Sequence, residues 1–477
     1  MKIREIVQTT PNFRVLSEDE MERIYFDALG IIESDGALVK SRKALELFEG
    51  GGAAVTGDGL VRIPAFLAER ALREHPKKIA LARRTGERSV RLQKDELAFG
   101  AGPVYPQKDQ TLGGTAYEQV YNASRLADSL TGIDFIAGPL KPLSRGNNSW
   151  DLTCVPALLK GSCKPLVLGP SDINELKTLW EMMCLVSGGE KEFQLSPLFA
   201  CYCGIDSPLT LAGSEAEKIL FCAEHKIPCV CASGAVSGVT APESIAGTLV
   251  LTLAETMVVS VLSYLKNPGM PIIRGGVTTA AGTSGDDPCF SAPQLGLSAA
   301  ANTDISKWLG LAMLSPAGIT DSAEIDQDAG TGWVSGLYYA FLSGADLIYG
   351  SGLIRGARSF CPDSLVVCNE IIAMISQIGK GICTEEEYLA TGLIEAVGPG
   401  GEYLTQDHTL EHWREWFRPE LADRSVYQNW SGAGEKTMAD RAAEKREKIL
   451  KEHAPEPFDP KLAEELRVLA DARSKEG

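Results

Sequence analysis

Short apolar runs recur along the middle of the chain, each ending near Gly or Pro and each followed by a stretch with helical spacing. Eight lie between residues 97 and 354: LAFGAGPVY (97–105), GIDFIAGPL (132–140), KPLVLGPS (164–171), PLFACYCGI (197–205), IPCVCASGAVSG (227–238), MPIIRGGVTT (270–279), LAMLSPAGIT (311–320) and ADLIYGSGLI (345–354). They do not alternate strictly between apolar and polar, which marks strands buried on both faces. Intervening segments such as AYEQVYNASRLADSL and WVSGLYYAFLSG read as helices. Eight βα alternations predict an α/β chain built on a (β/α)8 TIM barrel. An open doubly wound sheet is the competing arrangement. Residues 1–96 predict a helical N-terminal extension with one small hairpin at AAVTGDGLVRIP, where TGDG is a turn signal. The barrel is expected over 97–392 and a helical tail over 393–477. That tail is rich in Lys, Arg, Glu and Ala and carries Trp413, Trp416 and Trp430. It reads as a segment that wraps the body or a sister subunit, and a homo-oligomer is expected.

Composition narrows the function. The chain has 477 residues, 46 basic and 63 acidic, for a net charge of −17. Phosphate neutralisation needs a basic surface, so no nucleic-acid partner is expected. The apolar run SIAGTLVLTLAETMVVSVLSYL (244–265) contains Glu255 and lies between two predicted strands. It reads as a buried barrel helix and not as a membrane span. With no apolar leader in MKIREIVQTTPNF, a cytoplasmic protein off the membrane is expected. Twelve cysteines and no CxxC pair fit reduced thiols packed as small hydrophobes. Cys201 and Cys203 share one strand face, as do Cys229 and Cys231. The five histidines form no HExxH motif, and His408 and His412 share a face of an amphipathic packing helix. No metal site is expected.

Candidate chemistry lies at the strand ends, where a barrel carries its active site. Tyr105, Tyr117, Asp206, Ser233, Arg274, Thr320, Asp321, Asp326, Asp328, Trp333, Tyr349 and Arg355 stand there. No Ser-His-Asp set is available, and no phosphate-loop lysine or dinucleotide fingerprint is found. The reactive species is therefore expected from outside the chain. Asp321, Glu324, Asp326 and Asp328 beside Trp333 suit a cation held by acids and an aromatic face. They equally suit a helix N-terminus decorated with acids. Arg274 and Arg355, in IIRGG and GLIRG, each call for a carboxylate, internal or on a ligand. Gly234, Gly275 and Gly350 belong to a ring of strand-end glycines, read either as a bare mouth for something large and flat or as ordinary turns.

The long ordered runs VRIPAFLAERALREHPKKIAL, SPLTLAGSEAEKILFCAEHKIPC, IAGTLVLTLAET, SAPQLGLSAA, TDSAEIDQDAG, ADLIYGSG and VGPGGEYLTQDHTLEHWREWF span nearly the whole chain. In them the sequence resembles the trimethylamine methyltransferase family, the corrinoid-dependent methylamine methyltransferases. The resemblance implies a barrel that takes a methyl group from an amine and gives it to the Co(I) of a corrinoid (cobalamin-type) cofactor. That corrinoid is carried by a cognate partner protein and is not bound tightly by this chain. It also implies that Ile319 stands where trimethylamine enzymes carry pyrrolysine. The chain therefore resembles the non-pyrrolysine branch, whose substrates are quaternary amines such as glycine betaine. On that reading Tyr105, Tyr117, Arg274, Trp333, Tyr349 and Arg355 bind substrate, and Asp321 and Asp328 position it. Gly234, Gly275 and Gly350 then face the corrin, and an Arg holds a betaine carboxylate, with a corrin side chain or an internal acid as its other partners. A family enzyme acting on a simple tertiary or secondary methylamine, and a non-catalytic betaine-binding protein, are the competing readings.

Overall fold

The computed structural model describes residues 13–92, 96–106, 111–140, 152–276, 278–280 and 288–474. Eight parallel strands close into a barrel: β1 (Ala98–Ala101), β2 (Phe135–Ala137), β3 (Leu166–Leu168), β4 (Phe199–Ile205), β5 (Cys229–Ser233), β6 (Ile272–Gly276), β7 (Ala312–Pro316) and β8 (Leu347–Ser351). They follow in chain order around the ring, and β8 pairs with β1. Each falls inside one of the eight predicted runs. The TIM barrel is thus the architecture, and the open sheet is excluded.

Alternation sorts each strand's side chains between two cores. A separate buried cluster draws on all eight strands, including Ala98, Phe135, Val167, Tyr202, Val230, Ile273, Leu314 and Tyr349. This is the lumen. Ile79, Leu81, Val90 and Leu92 of the same cluster come from an antiparallel pair, Ile79–Ala82 with Arg88–Leu92. Ala82 N–H donates to Pro197 O, just before β4, so this pair plugs the N-terminal end of the barrel. That plug was not among the sequence expectations. The expected hairpin at TGDG does form, between Ala54–Val55 and Leu60–Arg62. It joins Ala37–Val39 and Thr210–Leu211 in a four-stranded sheet.

The larger core lies between the barrel wall and the helices. The helix Ile245–Lys266 is long and apolar enough to cross a membrane, but 78% of its apolar window is buried inside the protein. It packs against the N-terminal helices Glu18–Ser34 and Ala65–Glu74. Its Glu255 is fully buried and accepts hydrogen bonds from Ser207 Oγ (3.0 Å), Ser233 Oγ (2.5 Å) and Leu209 N–H (3.0 Å). A carboxylate satisfied this way ties the helix to the ends of β4 and β5. The tail helix Met438–Glu452 lies along Pro362–Gly379, while Pro460–Ser474 lies along Ile173–Ser187.

Candidate functional site

The loops leaving the C-terminal strand ends are knitted together by hydrogen bonds. Asp321, after β7, accepts from Phe290 N–H (3.0 Å) and Ser291 N–H (2.7 Å) of the segment after β6. Arg355 N–H and Gly356 N–H, after β8, donate to Ser322 O (2.8 Å) and Thr320 O (3.0 Å). Tyr105, after β1, donates its hydroxyl to Ala357 O (2.9 Å). The rim from β6 round to β1 is therefore one connected scaffold. Asp321 acts within it as a brace.

Several predicted residues are spent on this architecture. Burial pushes the Tyr105 phenol up, and its hydroxyl serves the loop after β8. Trp333 is 1% exposed and packs in the core under that loop. Its ring presents no face to a cation at the rim. Asp326 caps the helix Gln327–Ser343 through Ala329 N–H (2.8 Å), and Asp328 is exposed in its first turn. Of the two readings of these acids, the helix N-terminus describes Asp326 and Asp328. Tyr117 sits half-buried at the start of Ala116–Ser129, beside Tyr121 and Arg467 of the tail. Ser233 serves Glu255.

Arg274 is also redirected. It projects from the outer face of β6 into the helix layer, donating to Asn302 O (3.0 Å), Asn302 Oδ1 (2.6 Å) and Ser306 Oγ (3.3 Å). Burial lowers its guanidinium to about 10. It makes no ion pair among the described residues, so its neighbours are neutral and not the expected carboxylate. Arg355 behaves differently. It is exposed in a tight turn at φ +56°, and its side chain has no ion-pair partner among the described residues.

The strand-end glycines divide likewise. A Cβ on Gly350, at φ +122°, would meet Ile319 Cγ1 at 2.4 Å and Ala317 O at 2.7 Å. One on Gly275 would meet Val230 Cγ1 at 2.8 Å. Packing therefore requires both glycines, whatever approaches from outside. Gly234 follows β5 directly and is half-buried. By contrast, Gly204 on the lumen face of β4 has no heavy atom within 4 Å of its Cβ direction, so space opens there.

Below that opening, two tyrosines are the conspicuous polar feature of the lumen among the described residues. Tyr202 and Tyr349 are 1% and 0% exposed, and both hydroxyls are buried without a hydrogen-bond partner of ordinary geometry. The two hydroxyls interact electrostatically, and burial pushes both phenols up, so both stay protonated. Lumen positions nearer the mouth are small: Ala137, Gly204, Ala232 and Gly275. Tyr349 was expected at the site. Tyr202 and Gly204 were missed, although the alternation that puts Cys201 and Cys203 on one face of β4 puts these two on the other. None of the five histidines is here. His75 bonds Met270 O and Ser260 O, His225 meets Glu190, His408 meets Glu387 O, His412 meets Glu415, and His453 meets Asp128.

Comparison with known proteins places this geometry. The trimethylamine methyltransferase (MTTB) family profile matches residues 1–477. A trimethylamine methyltransferase from Desulfitobacterium hafniense is 29% identical over 96% of this chain and 94% of its own. A glycine betaine methyltransferase from the same species is 26% identical over 98% and 99%. Among solved structures, the Methanosarcina barkeri monomethylamine methyltransferase aligns over 93% of this chain and 96% of its own, with a TM-score of 0.48 and 12% identity. A match that runs the full length of an eight-stranded barrel means that this chain belongs to the trimethylamine methyltransferase family.

Proposed function

We propose that this chain moves a methyl group from a small quaternary amine, of the betaine class, to a corrinoid carried by a separate protein. The observation that carries this reading is the lumen. Two protonated tyrosine hydroxyls meet each other beneath small side chains, and no histidine stands beside them among the described residues. The reduced corrinoid supplies the nucleophile. A quaternary nitrogen already bears its charge and leaves as a neutral tertiary amine, so no proton has to be delivered. What remains for the protein is to hold the cation, orient one methyl toward the mouth and exclude water.

The residues present suit those tasks. Tyrosine rings and hydroxyl oxygens stabilise a quaternary ammonium, more strongly where water is excluded. Ala137, Gly204 and Ala232 keep the lumen positions between the tyrosines and the mouth small, which suits a ligand held at that end. Arg355, exposed and without an ion-pair partner among the described residues, would meet a substrate carboxylate at the rim. Ile319, the pyrrolysine-equivalent position on this reading, is buried and apolar and lies against Gly350. It offers no reactive group, which favours a substrate that needs none.

The higher identity to a trimethylamine enzyme supports a second reading, a simple methylamine as donor. One assay separates them. The purified chain is mixed with a reduced corrinoid, free or on a carrier protein, and glycine betaine, proline betaine, carnitine, choline and trimethylamine are added in turn. A change in the corrinoid spectrum with a betaine alone supports the proposal. A change with trimethylamine alone replaces it. Binding without any spectral change points to a betaine-binding protein. In the first case Arg355→Ala should raise KM for the betaine by about tenfold or more, the scale of a lost charge-assisted contact.

A further inference from the structure

Five of the twelve cysteines meet at one place on the outside of the barrel wall. Cys201 and Cys203 leave the outer face of β4, and Cys229 and Cys231 stand opposite them in register on β5. Cys222 enters from the helix Gly213–His225, which covers these strands. All five are buried and none is in a disulfide. The sulfur atoms of Cys201, Cys203 and Cys222 all lie within 4.8 Å of one another, and Cys201 Sγ is 3.7 Å from Cys203 Sγ. Cys229 also reaches the Cys203 sulfur. Lys218, one turn before Cys222 and 1% exposed, pairs with Glu215 at 2.9 Å and sets a positive charge beside these thiols.

Thiolates bound at about 2.3 Å to one ion stand about 4 Å apart in a trigonal or tetrahedral shell. The Cys201–Cys203 separation of 3.7 Å already suits such a shell, and the Cys222 sulfur lies within 4.8 Å of both, so the three sulfurs converge on one point. Isolated buried cysteines are small hydrophobes, but two in-register pairs capped by a fifth from a helix form a soft donor set. We propose that Cys201, Cys203 and Cys222, with Cys229 as fourth ligand, bind one thiophilic closed-shell metal ion of the zinc and cadmium type. The site is closed, with no position left for a substrate, so its role is structural. The ion clamps the covering helix to β4 and β5. Because β4 presents Tyr202 from its opposite face, the clamp also stiffens the lumen wall.

The test needs no turnover. The chain is produced in zinc-supplemented and cadmium-supplemented media, dialysed against a chelator, and its metal content measured by mass spectrometry. The expected result is a single retained equivalent, with a sulfur-to-cadmium charge-transfer band in the cadmium form. Cys203→Ser and Cys222→Ala should each lose the metal and the band, whereas Cys383→Ala, a cysteine of the tail side, should keep both. Chain that stays metal-free after growth and after refolding in either metal overturns the proposal. Variants at Cys203 and Cys222 that retain the full equivalent overturn it as well. Should Cys203→Ser fail to fold, the wild-type content and Cys222→Ala still decide.

Discussion

Tyr202 and Tyr349 separate a functional role from a structural one at the scale of single atoms. A buried hydroxyl whose hydrogen bonding is poorly met costs up to about 1–3 kcal/mol, and these two have only each other, out of ordinary geometry. Tyr202→Phe and Tyr349→Phe should therefore leave thermal stability unchanged or slightly raised. On the proposed function each should lower kcat/KM by about tenfold or more. Loss of stability with full activity would assign them to packing instead. Asp346 makes a pH argument of the opposite kind. It is buried before β8, accepts Met313 N–H at 2.9 Å, and burial raises its carboxyl to about 7. The unfolded group titrates near about 3.9. Between those values the folded chain binds the extra proton, so stability falls as pH rises through that window. Asp346→Asn keeps an acceptor for Met313 and removes the charge. Its melting temperature should rise relative to wild type between about pH 5 and about pH 8, as read by calorimetry.

Single side chains also decide how elements meet. The Ile79–Ala82 and Arg88–Leu92 pair closes the barrel floor through Leu81, fully buried in the lumen cluster. Leu81→Ala should cost about 2–4 kcal/mol in denaturant unfolding, the range for an emptied core leucine. At the other end, Asp321 brings the segments after β6 and β7 together through two backbone N–H groups and the Ser291 hydroxyl. Asp321→Ala should leave the barrel folded and loosen the rim. Faster amide exchange at Phe290 and Ser291, with circular dichroism unchanged, is the expected outcome. The polar residues of the β7 loop were visible in the sequence as a cluster, but their targets were not. Asp321, expected to position a substrate, positions backbone in the folded chain, its acceptor oxygens meeting groups some 30 residues away.

For the molecule as a whole, the region beyond the barrel raises the question of assembly. The helices Glu386–Leu389, Thr391–Val397, Asp407–His412 and Tyr427–Gly432 contain no buried residue. Ile382, Leu404, Leu410 and Trp416 are each at least 70% exposed there. Apolar side chains exposed to that degree are what a contact between copies of the chain would cover. On the homo-oligomer reading, light scattering on the purified chain should give a mass that is a multiple of the monomer. Trp416→Glu should shift it toward the monomer, and a monomer at all concentrations would end that reading.

Local pattern by itself determined the barrel. Apolar strands of about five residues, helices between them and turn residues at the joints follow from backbone geometry and burial, which act within a few residues. The resemblance to the methyltransferase family was also legible, in runs that stay together along the chain. Which side chains face the lumen was not, because one residue of register moves a side chain from one face of a strand to the other. Arg274 looked like a rim residue from its place in IIRGG. Alternation sends it outward to Asn302, while Tyr202, hidden between two cysteines, turns inward. Trp333 and the glycines at 275 and 350 were legible as residues, but their roles depended on distant neighbours: Leu353, Val230 and Ile319. Closure of the barrel brings such partners together across up to a few hundred positions, and only the tertiary structure records which of them meet.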